Sequence, residues 1–210
     1  MNMLHWLQGR HRKALIISSC CGVLAALPFM DISLNLGSGQ HANETIIVSL
    51  RMFALIIIAH IQAWSLTPRM SSVDALGEKK LVGYSIVSAM GLLLYAYLTP
   101  WLSWLLKPSV DAAYSCVFAS LFVATGALLA LALSSCMGIN GPLCSGAFVV
   151  VLLSTSGLQI RTMGFSVLPA NLNDHISVRL IVMLIAAIIV GYCWGRARSG
   201  ARCLIRLHWS

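Results

Sequence analysis

The sequence predicts an all-α integral membrane protein with six transmembrane helices, and three observations lead there. Of 210 residues, 59% are hydrophobic and only 10% charged, and the mean hydropathy is +0.86. A water-soluble domain devotes about a quarter of its residues to charge, so a chain this poor in charge belongs in a bilayer. Apolar runs long enough for a helix to cross about 30 Å of hydrocarbon recur six times, at about 14–30, 46–66, 81–102, 112–136, 143–160 and 177–195. Lysine and arginine alternate in abundance between the connections, which sets the orientation.

With the N-terminus placed inside, the cytoplasmic connections and ends hold Arg10, Arg12, Lys13, Arg69, Lys79, Lys80, Arg196, Arg198, Arg202 and Arg206. The opposite side has Lys107, Arg161 and Arg179, and Arg51 falls inside a span. Positive side chains are retained on the cytoplasmic side, so both termini are expected there. No connection is long enough for a soluble domain, so residues 1–210 read as a single transmembrane domain.

The first run, "ALIISSCCGVLAALPFM", follows Arg10, Arg12 and Lys13 and has the shape of a signal peptide. It is read as a retained helix, because no small-x-small cleavage site precedes "DISLNLGSGQ" and five further runs follow. The leader "MNMLHWLQGRHRKAL" sets Met3, Leu4, Trp6 and Leu7 beside basic residues, a pattern suited either to a helix in the cytoplasmic interface or to an unstructured leader.

In the second run an arginine at depth is costly unless it reaches the interface or a partner. At 100° per residue Arg51, Leu55, Ile58 and Gln62 share one face, so Arg51 and Gln62 form a sparse polar stripe and are the candidates for a substrate path. The alternative for Arg51 is a purely interfacial position, with Glu44 two turns earlier within reach. His60 faces the other way and reads as a packed, hydrogen-bonded histidine.

The connection "TPRMSSVDALGEKKLVGYS" concentrates Arg69, Asp74, Glu78, Lys79 and Lys80 in a chain with only 14 basic and 6 acidic residues. Pro68 ends the preceding helix, Ser71 and Ser72 can cap a new one, and Asp74 near its start with Lys79 and Lys80 near its end complement the helix dipole. Val73, Leu76 and Leu81 supply an apolar side. A short cytoplasmic amphipathic helix between spans two and three is expected, either a docking surface built from Asp74, Leu76, Glu78, Lys79 and Lys80 or a loop whose charge only sets topology.

Between spans four and five, "SSCMGINGPLCSGA" reads as a tight uncharged turn whose small residues allow close helix approach. The apolar outer stretch "GLQIRTMGFSVLPANLNDHI" reads as a re-entrant segment or an ordinary interfacial loop. Cys20, Cys21, Cys116, Cys136, Cys144 and Cys193 lie in or beside spans, where cysteine acts as a small apolar residue, and Cys203 is in the basic tail. Without C-x-x-C or histidines at ligand spacing, neither a metal nor another cofactor is expected. Basic residues after a last span anchor it to anionic headgroups, so "RARSGARCLIRLHWS" points to lipid and not to nucleic acid.

The chain has no G-x-x-x-x-G-K-[ST], H-E-x-x-H or G-x-S-x-G, and its six acidic residues all fall in connections. An enzyme is therefore not expected, and energy for transport would come from another chain. The layout, with an N-terminal interfacial helix, six spans, the charged "SSVDALGEKK" after the second and an outer fold-back before the sixth, resembles the transmembrane permease subunits of bacterial ABC exporters whose ATPase is a separate chain. The resemblance implies a multi-pass protein of the bacterial inner membrane, a second transmembrane subunit, and an ATPase that touches residues 71–80. Two alternatives stay open: a six-span substrate-binding component of a vitamin importer, and a non-transport assembly or immunity protein.

Overall fold

A helix lies within each of the six apolar runs, and how the helices end and touch decides what the fold can hold. The computed structural model describes residues 3–27, 33–35, 47–69, 80–106, 108–154 and 176–202. Its helices are α1 (Met3–Gln8), α2 (Arg12–Ala25), α3 (Leu50–Ser65), α4 (Lys80–Leu98), α5 (Leu102–Leu106), α6 (Val110–Met137), α7 (Gly141–Ser154) and α8 (Ile176–Arg196). Two three-residue strands, β1 (Ser33–Asn35) and β2 (Ile47–Ser49), pair antiparallel with Leu34 opposite Val48.

Three helical stretches among the described residues are long and apolar enough to cross a membrane: 81–106, the run 113–152 and 176–196. The second of these is a hairpin, because the chain turns at Gly138–Asn140 and α7 packs back on α6. At 1.5 Å per residue, α2 and α7 are about 21 Å long and α3 about 24 Å, each short of the hydrocarbon thickness.

The helices alternate in direction. At one end of the bundle the His11 N–H donates to the Ser65 carbonyl (3.1 Å) and the Arg69 N–H to that of Gly9 (3.2 Å). Trp6 meets Tyr84 there, with ring centroids 6.1 Å apart. The Ser199 hydroxyl reaches that of Ser85 (2.8 Å), and Gly200 sits against Ser134 and Gly138. This end thus gathers the start of α2, the end of α3, the start of α4, the α6–α7 turn and the end of α8. At the other end Cys116, near the start of α6, donates through its thiol to the Pro100 carbonyl (3.3 Å) just beyond α4.

The core is centred on α6, which touches α3, α4, α7 and α8. Its Ala119, Ala127, Ala130 and Leu131 are fully enclosed. Gly126 admits the Ile56 side chain, which a Cβ there would meet at 3.2 Å, and the Ser120 hydroxyl donates to the Tyr97 carbonyl of α4 (2.7 Å). By contrast α8 leaves Ile181, Leu184, Ile185, Ile188 and Ile189 exposed, and α2 does the same with Ile17 and Leu24. In water each such side chain would forgo about 1.5–3 kcal/mol of burial; in lipid the exposure is free, which is the physical case for a membrane-embedded protein.

Four details correct the sequence reading. The second run was expected to be helical from about 46, but residues 47–49 are strand and α3 starts at Leu50, because Ser49 takes an extended backbone and accepts the Met52 N–H (3.2 Å) as an N-cap. The third run is not one helix: Pro100 has no N–H to continue it, so α4 stops at Leu98, a 3-10 turn spans Thr99–Trp101, and α5 follows. The leader is helical, yet Trp6 is 2% exposed beneath the Arg10 guanidinium at 4.4 Å and packs on protein instead of lipid. The start of the basic tail is likewise not wholly a headgroup anchor. Ala197, Ser199 and Gly200 are buried, with Arg198, Ser199 and Gly200 all at positive φ, so the chain after α8 coils left-handed into the bundle end.

The tight turn expected at "SSCMGINGPLCSGA" is present, and Gly138 adopts a φ of 75° that favours glycine. A Cβ on Gly141 would land on the backbone of Ser134 and Leu133, where nothing flexible can give way. Gly141→Ala is therefore expected to cost at least the 1–3 kcal/mol typical of overpacking, whereas Gly83→Ala, whose Cβ would meet nothing within 4 Å, should leave stability unchanged or raise it, since Ala suits a helix interior better than Gly. Thermal unfolding of the detergent-solubilised variants checks this, and equal melting temperatures for the two would refute it.

Candidate functional site

A lipid-embedded helix has few polar atoms, so a place where several meet is the first place to look for function. One such place lies where α2, α3 and α4 converge, around a cleft of about 350 Å³. Its polar lining is Ser19 from α2, Gln62 from α3, and Ser88 and Tyr95 from α4.

Local sequence explains how these side chains arrive together. Ser18 and Ser19 both donate back to the Leu15 carbonyl (3.0 and 2.8 Å), a habit of serine inside helices that removes the need for water. The Ser19 hydroxyl, its proton committed, must then accept from Gln62, whose Nε2 lies 3.2 Å away. That order fixes the amide: Nε2 faces Ser19 and Oε1 points elsewhere. The Tyr95 hydroxyl donates to the Ser19 carbonyl (2.7 Å), and it fits only because Gly22 is bare, since a Cβ there would collide with that hydroxyl.

The result is a cluster with an acceptor left over. Gln62 is 2% exposed, and its Oε1 is buried without a hydrogen-bond partner. An unmet buried carbonyl costs about 1–3 kcal/mol. None of the described lining residues is a carboxylate, imidazole or amine, so the cleft is polar but uncharged.

Of the residues singled out from sequence, Gln62 is in this cleft and Arg51 is not. Both lie on the buried face of α3, as the shared stripe anticipated, and Arg51 is 4% exposed. Eleven residues apart, they are separated by about 16 Å along the helix, with Arg51 in the first turn of α3 at the far end of the bundle. Asp74, Leu76, Glu78 and Lys79 lie outside the described residues, as do Glu44 and residues 155–175; Lys80 is the first residue of α4. The sequence reading missed Ser19, Ser88 and Tyr95. A serine pair and a tyrosine within apolar runs were a usable signal, because hydroxyls there look for partners on neighbouring helices.

At the end of the bundle near Gln62, His11 stacks on Trp64 with ring centroids 4.4 Å apart. Burial, with the charge of Arg69 added, holds its imidazole below the usual histidine value, so it is neutral at pH 7. The joint between the α1–α2 turn and the end of α3 is thus closed by an uncharged stack. No protein-family model, curated protein or solved structure matches the chain.

If Gln62 is kept for a ligand, replacing it should not harm the fold. Gln62→Leu removes one hydrogen bond but also the orphaned carbonyl, and is expected to leave the melting temperature unchanged or raised. Tyr95→Phe loses a satisfied bond and should cost about 0.5–1.5 kcal/mol. A loss for Gln62→Leu as large as that for Tyr95→Phe would make Gln62 a structural residue only.

Proposed function

We propose that this chain is the membrane-spanning permease subunit of an ATP-driven, ABC-type exporter of the bacterial inner membrane, with six spans and both termini cytoplasmic. It pairs with a second transmembrane subunit and is driven by an ATPase on a separate chain. The observation that carries this reading is the bracing around the charged connection. Arg69, where the connection leaves, is tied by its N–H to the Gly9 carbonyl, and His11 is tied to Ser65. Lys80, where it returns, begins α4, whose Tyr84 and Ser85 meet Trp6 and Ser199. A force applied between residues 70 and 79 would be passed to α3 and α4 directly and to α1, α2 and α8 through these contacts. A helix offering Asp74, Leu76, Glu78, Lys79 and Lys80 to a motor suits such a mount.

The alternating helix directions support N-in and C-in, since they collect Arg10, Arg12, Arg69, Arg196, Arg198 and Arg202 at one end. Reporter fusions after Ser210 and within residues 31–45 should report cytoplasmic and external locations respectively. An external C-terminus overturns the orientation.

Glu78→Arg combined with Leu76→Asp is expected to release the ATPase from the native complex, or to abolish transport-coupled hydrolysis, while the spans still insert. A native complex without an ATPase, or a double mutant with full activity, refutes the permease reading. The cleft favours one second reading, a six-span substrate-binding component of a vitamin importer, because Ser19, Gln62 and Tyr95 form a binding place within one chain. Denaturing the chain purified alone and finding a stoichiometric small molecule would decide for it.

A further inference from the structure

Between α3 and α7 lies a second groove, of about 340 Å³, separate from the cleft and opening on the flank of the bundle. Ile57, Ile61, Leu143 and Val150 line it and are 42–67% exposed, and Phe53 and Trp64 complete an apolar wall. His60 is the exception. It lines the groove yet is only 8% exposed, and its Nε2 is buried with no hydrogen-bond partner.

The state of that nitrogen follows from its neighbours. Nδ1 is 2.7 Å from the Ile56 carbonyl, and a carbonyl can only accept, so Nδ1 carries a proton. The Ser145 backbone is the ring's other polar neighbour, and Nε2 makes no hydrogen bond. A second proton would bury a charge in an apolar wall with no acidic residue in the groove's described lining. Nε2 is therefore a bare lone pair, and what it lacks is a donor. The exposed residues at the mouth of the groove, Ile57, Ile61, Leu143 and Val150, are all apolar.

We propose that the groove binds a membrane-dissolved lipid bearing a hydroxyl group, the O–H donating to His60 Nε2 and the apolar body lying along Phe53, Ile57, Ile61 and Leu143. Lipids with carbonyl or ether oxygens alone cannot satisfy the site, since two acceptors would face each other. This assignment is independent of the permease reading, which rests on the charged connection and its bracing.

The test uses the full chain in lipid nanodiscs and two probes, a diazirine-bearing hexadecanol and its methyl ether, which differ by the donor alone. After illumination, the alcohol should label residues 53–64 and 142–150 at least tenfold more than the ether. His60→Phe keeps a ring but removes the acceptor, and should bring alcohol labelling down to the ether's level. His60→Gln, which restores an acceptor, should keep a preference for the alcohol. Equal labelling of the unmodified chain by the two probes overturns the proposal without recourse to any variant. So does an undiminished preference in His60→Phe, or a cross-link showing that a hydroxyl side chain of another polypeptide occupies the groove.

Discussion

Everything in this bundle depends on how closely other helices can approach α6. Lipid tails are as apolar as leucine, so no hydrophobic force drives helices together in a bilayer, and van der Waals contact with a few hydrogen bonds must suffice. Those terms fall off steeply with distance, so they demand small side chains at the seams. On α6 the enclosed positions include Ala119, Ser120, Ala124, Ala127 and Ala130, with Gly126 receiving Ile56. Large residues enter where the approach leaves room, as with Phe122 stacked near Phe118.

The same close approach creates the places where ligands could sit. Gly22 lets the Tyr95 hydroxyl through to the backbone of α2, and that contact draws α4 against the α2–α3 pair, leaving the polar cleft at their junction. On the opposite side of α3 the α6–α7 hairpin, made tight by Gly138 and Gly141, sets α7 beside His60. Two faces of one helix thus carry two orphaned acceptors, the Gln62 carbonyl and the His60 ring nitrogen. Each is more exposed to energetic loss than a hydroxyl in its place, because neither can turn to find a partner in its own helix.

Much of the architecture could be read from residue order, and the reasons for the misses are specific. Apolar runs set where helices lie because lipid forbids anything else, and small residues around Gly138 marked the hairpin. The strand at Ile47–Ser49 escaped because Ile, Val and Ser suit an apolar span as well as a strand, and only the Ser49 cap and the pairing with Ser33–Asn35 separate the two. Pro100 was visible, but its break was hidden by leucines on both sides. For the cleft, Gln62 stood out as an amide in an apolar run. Ser19 and Tyr95 did not, because which helix meets which cannot be counted from spacing. Arg51 and Gln62 share a face as periodicity required, yet distance along the axis keeps them from acting at one place.

α8 shows what such a bundle asks of its assembly. It meets its neighbours along a thin seam, Gly191 against Met90 and Gly195 against Ile86, with Trp194 enclosed, while most of its surface is bare. The left-handed coil at 198–200 fastens the end of that seam, because it turns Ser199 onto Ser85 of α4 and Gly200 onto Ser134 of α6, so α8 is held by its last residues as much as by its length.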